Sequence, residues 1–245
     1  MVNDAALFFE QFLRFPGTTG AVAPSSRRLA RAVAGPVPER GDPLVVELGP
    51  GTGVFTEEIQ RRLGGRGRHL AVEINPALAR RLTARVPGAA VVVGDAARLP
   101  ALLADQGLGR AEVVVSGLPW AAFSGALQDR LLGAIAGALA ADGAFTTFAY
   151  VHARALPAAI AFRHRLGECF EEVVPGRTVW RNMPPAFVYH ARRPRLLSPL
   201  QAAAAAGQRG RPAGFAQGMA ASTRASTIRL SPPRSGCHCT PTQKR

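Results

Sequence analysis

Val45-Val46-Glu47-Leu48-Gly49-Pro50-Gly51-Thr52-Gly53 carries an apolar strand into a glycine-rich turn and, from Val54 on, into a helical pattern. Glycines lack Cβ atoms, so the backbone can turn sharply and approach a ligand closely. Spacing decides the kind of ligand. A dinucleotide fingerprint, GxGxxG, would set its third glycine at position 54, where Val54 stands. Read from Glu47, the pattern is instead ExGxGxG, with Gly49, Gly51 and Gly53 alternating. Such a turn has no diphosphate to cradle. Glu47 is suited to orient the loop and to attract an ammonium group, directly or through water.

Two acids follow in order. Glu73 ends the second apolar run, twenty residues after Gly53, where a carboxylate can accept hydrogen bonds from both hydroxyls of a ribose. Asp95, in Val93-Gly94-Asp95-Ala96, follows the third run and is suited to accept from an adenine amino group. Each has a plainer role open to it: Glu73 as a capping acid before Pro76, Asp95 as the cap of a helix starting near Ala97.

Around these residues, strand-like and helix-like stretches alternate from Asp42 to about Arg193. Strands are predicted at Leu44–Leu48, His69–Glu73, Ala90–Val93, Glu112–Val115, Ala144–Tyr150, Glu171–Val174 and Phe187–Ala191. Helices are predicted at Val54–Leu63, Pro76–Val86, Ala97–Ala104, Gly125–Ala141 and Pro157–Leu166. Continuous apolar runs such as Val91–Val93 and Val113–Val115 suit a sheet covered on both faces. The expected architecture is α/β, a Rossmann-like, doubly wound parallel sheet, with the ligand beyond the carboxyl ends of the strands.

Composition bounds the rest. The 47% apolar share is that of an ordinary globular chain. The run Leu131–Ala141 is too short to cross a bilayer, and the N-terminus has no secretory pattern. The three cysteines, Cys169, Cys237 and Cys239, make no disulfide framework, which fits a reducing, cytoplasmic setting. Cys237-His238-Cys239 is too cramped for an ordinary zinc site, and no metal is expected. Of the net charge of +14, ten units lie in residues 192–245, which hold nine Arg, one Lys and no acid, leaving +4 on residues 1–191. The basicity therefore belongs mostly to a tail rich in Ala, Arg, Pro, Gly and Ser, predicted to be disordered.

The set Glu47–Gly53, Glu73 and Asp95 resembles the class I S-adenosylmethionine-dependent methyltransferases. The resemblance implies S-adenosyl-L-methionine as cofactor and a seven-stranded sheet with a reversed last hairpin, which Glu171–Val174 and Phe187–Ala191 could supply. Val115-Ser116-Gly117-Leu118-Pro119-Trp120 resembles the Asn-Leu-Pro-Tyr loop of nucleic-acid amino methyltransferases, with Ser116, counted among the cofactor-binding residues, in place of Asn. Trp120 is suited either to wall a cationic acceptor or to pack the loop. Gly20–Ser26, Val115–Pro119 and Val179-Trp180-Arg181-Asn182-Met183-Pro184-Pro185-Ala186 are similar to bacterial phospholipid N-methyltransferases, which methylate phosphatidylethanolamine. With the cofactor motif, that resemblance covers residues 7–192.

The expected division is residues 1–40 as N-terminal helices, 41–193 as the methyltransferase domain and 194–245 as the tail. In Leu7–Phe15, Phe8, Phe12 and Phe15 share one helical face, and Arg14, Arg27, Arg28 and Arg31 supply cations. Such a helix suits a phospholipid membrane surface, with peripheral attachment at the inner face of the cell membrane, or a lid over the cofactor. In the acceptor pocket, Arg181 matches a phosphate and Asn182 could orient the headgroup. Tyr150 could meet the ammonium, and His152 either takes its proton or is a plain loop histidine. Two other acceptors remain open: ribosomal RNA adenine, against which Ser116 and the modest charge of the folded part count, and a small-molecule amine. A binding protein working through its tail is a third reading; the intact Glu47–Gly53, Glu73 and Asp95 set counts against it.

Overall fold

Leu44–Leu48 is buried at every position, and that makes it a central strand, β1, of the computed structural model, which describes residues 25–195. The chain then alternates as predicted: α1 (Arg27–Val33), β1, α2 (Val54–Leu63), β2 (Arg68–Glu73), α3 (Pro76–Arg85), β3 (Ala90–Val93), α4 (Leu99–Asp105), β4 (Ala111–Ser116), α5 (Gly125–Ala138), β5 (Leu139–Tyr150), α6 (Pro157–Cys169), β6 (Phe170–Pro175) and β7 (Ala186–Pro194). The seven strands lie in the order β3-β2-β1-β4-β5-β7-β6. β1 to β5 run parallel, and β7 runs antiparallel to both β5 and β6, so the reversed hairpin is present.

Local chemistry sets the element ends. Asn75 caps α3 by accepting from Ala77 N and Leu78 N, with Pro76 in the first turn; Ser124 caps α5 through Leu127 N. α5 stops at Ala138, three residues before its predicted end, although the alanines continue. Leu139 pairs instead with Ala111 of β4, and β5 begins there through a register shift before Ala144. A ladder bond and a buried Leu139 outweigh the small helix preference of the alanines.

The sheet is covered on both faces. Leu48, Leu70, Leu132, Phe145 and Phe170 belong to one buried cluster; Val45, Ile59, Val113 and Val188 belong to the other. Leu29, Ala30, Val33 and Val37 pack in that second cluster, and Thr146 Oγ1 donates to Val33 O at 2.9 Å. α1 is therefore packed into the sheet's own core. The stretches Leu7–Phe15 and Gly20–Pro24, the Ala202–Ala206 run and the cysteines at 237 and 239 lie outside the described residues. No described helix is long and apolar enough to cross a membrane.

Candidate active site

Strand order reverses between β1 and β4, the place where ligands sit beyond the carboxyl edge of such a sheet. Gly49 N donates to Val72 O of β2, and Gly117 N donates to Leu48 O at 2.8 Å, so the loops after β1 and β4 lie backbone against backbone at this crossing point of the strand ends. There is no room for side chains at the crossing. A Cβ on Gly117 would stand 2.6 Å from Gly49 O, and one on Gly49 would stand 2.8 Å from Leu118 Cδ2. Gly49, Gly51 and Gly53 all take left-handed backbone angles, with φ of 66°, 53° and 85°.

A pocket of about 380 Å³, its open mouth included, brings together Gly49, Glu73 and Asp95. Both acids also cap their own turns. Glu73, fully buried, accepts from Asn75 N at 3.0 Å and Gly51 N at 3.3 Å; Asp95 Oδ1 accepts from Ala97 N at 2.9 Å. The capping roles and the pocket-lining position thus coexist in the same carboxylates. Burial raises the Glu73 pKa above its ordinary value of 4.5, against the backbone bonds from Asn75 and Gly51, which lower it. Glu47 is fully buried one strand away, with Oε2 3.3 Å from His69 Nε2; Gln60 Nε2 lies 3.0 Å from His69 Nδ1. Neither Glu47 oxygen has a hydrogen-bond partner among the described residues.

The remaining candidates lie along the β4, β5 and β7 ends. Ser116 Oγ accepts from Trp120 Nε1 at 3.0 Å and from Leu118 N at 3.2 Å. Trp120 is 3% exposed, its ring stacked on Phe162 at 4.9 Å and edged by Phe123 and Phe145. Packing, not a wall for the acceptor, is what the indole does here. Ser in place of Asn supplies the acceptor that holds Trp120 inward. Tyr150 stacks on exposed His152, with centroids 5.6 Å apart and planes 13° apart. Arg181 is exposed. Asn182 is buried: Oδ1 accepts from Ser26 N at 2.9 Å and Nδ2 donates to Pro184 O at 2.7 Å. Its amide pins the 176–185 loop to the start of α1, a structural role beside the headgroup role expected for it.

That tether makes a prediction. Asn182→Ala removes both bonds and leaves Ser26 N unpaired, so thermal unfolding should show a loss of about 1–3 kcal/mol. An unchanged melting temperature would mean the amide is not structural.

Sequence reasoning missed Ile74, Leu118, Phe123 and Leu131, which form the apolar side of the pocket. Ile74 directly follows Glu73, and an apolar residue beside a strand-end acid was a readable signal. Phe123 and Leu131 carried no such mark, because their spacing is that of ordinary core.

No protein-family model matches the chain. The ornithine lipid N-methyltransferase of Singulisphaera acidiphila is 34% identical over 201 residues, which cover 78% of this chain and 97% of that enzyme. The chain is a class I S-adenosylmethionine-dependent methyltransferase of the same family. The fold of this methyltransferase agrees. TrmN from Thermus thermophilus superposes with a TM-score of 0.53 at 17% identity, over 73% of this chain and 52% of that one. Spermidine synthase from Thermotoga maritima gives 0.50 at 16% identity, over 69% and 60%. At such identities these two speak for the fold alone.

The methyltransferase's crevice fits S-adenosylmethionine. A buried carboxylate whose oxygens accept no hydrogen bond, with only the His69 ring nearby, is costly, and an ammonium donor could satisfy Glu47 directly or through water. Glu73 and Asp95 offer acceptors for hydroxyls and an amino group, while Ile74, Leu118 and Phe123 offer apolar surface to a purine. When bound, the cofactor supplies an electrophilic methyl group on a sulfonium sulfur. A pH dependence follows. Glu73 accepts hydroxyl donors best when ionised, and its folded pKa is raised. Cofactor affinity should therefore fall as pH drops through a value above 4.5, measured by calorimetry. The stability sign is opposite. Glu73's contribution to the ligand-free fold is fully present below 4.5 and is lost as pH rises through its raised folded pKa.

Proposed function

We propose that this methyltransferase N-methylates the headgroup amine of a membrane lipid, with phosphatidylethanolamine as the substrate. The observation that carries the reading is the match along 97% of an enzyme named for N-methylating an amine-bearing lipid. The alternative of an RNA base loses support from Trp120, whose indole is buried against Phe162 instead of presenting a stacking face.

An ethanolamine nitrogen is largely protonated at neutral pH, so it must shed a proton before its lone pair attacks. We assign the proton to His152, exposed at the end of β5, and contact with the ammonium to its stacking partner Tyr150. Exposed Arg181 is assigned to the lipid phosphate, which its guanidinium fork matches. The displacement is in line, so holding the amine near the methyl group and excluding water supply most of the rate. The Leu7–Phe15 segment, whose Phe8, Phe12 and Phe15 recur at helical spacing in the sequence, is assigned to the membrane interface from that pattern alone.

Expression in a bacterial host whose lipids carry no N-methyl groups tests the reading. Mass spectrometry should find N-methylated phosphatidylethanolamine. Unchanged lipids, with purified protein that still binds S-adenosylmethionine, would contradict it.

A further inference from the structure

Apolar side chains are left in solvent at the carboxyl edge of the sheet. Trp180 is 72% exposed and Met183 69%, both on the 176–185 loop, and Leu156 and Ile160 at the start of α6 are about half exposed. The loop and the start of α6 adjoin the same strand ends. Val151 N donates to Pro185 O at 2.9 Å, the Arg154 guanidinium lies 5.7 Å over the Phe187 ring, and Val179 bridges to Ala186. The loop is not a loose excursion, since buried Asn182 ties it to Ser26. A held loop that keeps a Trp and a Met outward is an apolar surface awaiting a partner.

Charge identifies the partner. Residues 151–167 and 173–185 contain no Asp or Glu, and they carry Arg154, Arg163, Arg165, Arg177 and Arg181. Arg165 pairs with Asp129, whereas Arg154, Arg163, Arg177 and Arg181 are exposed. The acids of this hairpin, Glu171 and Glu172, lie at the opposite end of β6. Exposed apolar tips with an indole N–H, interleaved with arginines, match the boundary between anionic headgroups and acyl chains. A water-soluble partner of mixed charge would gain little from four exposed cations on the two segments that carry the exposed apolar side chains.

We propose that the loop bearing Trp180 and Met183, with the exposed start of α6, is a membrane-docking surface that seats the carboxyl edge of the sheet on an anionic lipid bilayer. The inference rests on the lipid reading for its purpose. Docking here would bring the crevice to the headgroup layer, so that a lipid amine reaches it without leaving the bilayer far. Leu156 and Ile160 widen the apolar footprint, and the arginines supply a salt-sensitive attraction.

The chain reports on this itself. It holds two tryptophans, and Trp120 is already buried, so a change in emission on binding belongs to Trp180. Full-length protein mixed with phosphatidylglycerol-containing vesicles should shift its emission to shorter wavelength and be quenched by brominated acyl chains, while phosphatidylcholine vesicles do much less. Trp180→Ala with Met183→Ala should weaken vesicle binding by about tenfold or more in flotation assays, with S-adenosylmethionine affinity unchanged. The double variant should also keep wild-type turnover on a short-chain aminolipid offered as monomers and lose it on vesicles. Unshifted emission, emission already at short wavelength without vesicles, or equal vesicle affinity for the double variant would overturn the docking surface. A wild-type chain that docks but methylates no aminolipid in either form would instead overturn the lipid reading and leave the surface standing.

Discussion

Glu73→Ala will weaken S-adenosylmethionine binding by about a hundredfold or more while the protein stays folded. Two hydrogen bonds from hydroxyl donors to a buried carboxylate are worth about 1.5–3 kcal/mol each, so their joint loss reaches that range. Stability should change far less, because two effects oppose each other. The substitution frees Gly51 N and Asn75 N, which Glu73 now accepts, and that destabilises. It also removes a carboxyl group whose ionisation burial opposes, and that stabilises at neutral pH. Calorimetry beside thermal unfolding separates the two readouts. Unchanged cofactor affinity in a folded variant would refute the assignment of Glu73.

The second large effect concerns a single methyl group at the loop crossing. Gly117→Ala puts a Cβ 2.6 Å from Gly49 O, a backbone atom that cannot swing aside. Gly117 N already holds Leu48 O, and Gly49 is itself pressed against Leu118, so both loops must move. The expected cost is about 2–4 kcal/mol, seen as a fall of several degrees in melting temperature. Cofactor affinity should fall more than tenfold with it, since Gly49 and Leu118 line the crevice. Gly51→Ala is the contrast. Its Cβ meets nothing within 4 Å, so only the left-handed backbone angle resists, at about 1 kcal/mol. Equal behaviour of the two variants in thermal unfolding would show that the crossing is not sterically closed.

The fold was legible because its signals are repeated. Seven runs of β-forming residues, the first six separated by helical ones, each lie within an observed strand. The glycine-rich turn was legible because Gly49, Gly51 and Gly53 need backbone angles that other residues resist, and the meeting of Glu73 and Asp95 in one pocket was legible because both stand at strand ends. What was not legible depends on which way a side chain turns. Trp120 reads equally as wall or packing until Phe162, which is distant in the sequence, is seen to cover it; the sequence holds no marker for that stacking. Asn182 reads as a polar group beside an Arg, yet its partner Ser26 is far off in the chain. The early end of α5 depends on Leu139 finding Ala111, a pairing that propensity does not encode.

Methyl transfer from radiolabelled S-adenosylmethionine tests the central claim most directly. Purified protein would be offered phosphatidylethanolamine vesicles, ornithine lipid vesicles and unmodified ribosomal RNA in parallel. The account predicts label in the phosphatidylethanolamine fraction and none in RNA. Label in the RNA, or in no lipid while the cofactor binds, would contradict it.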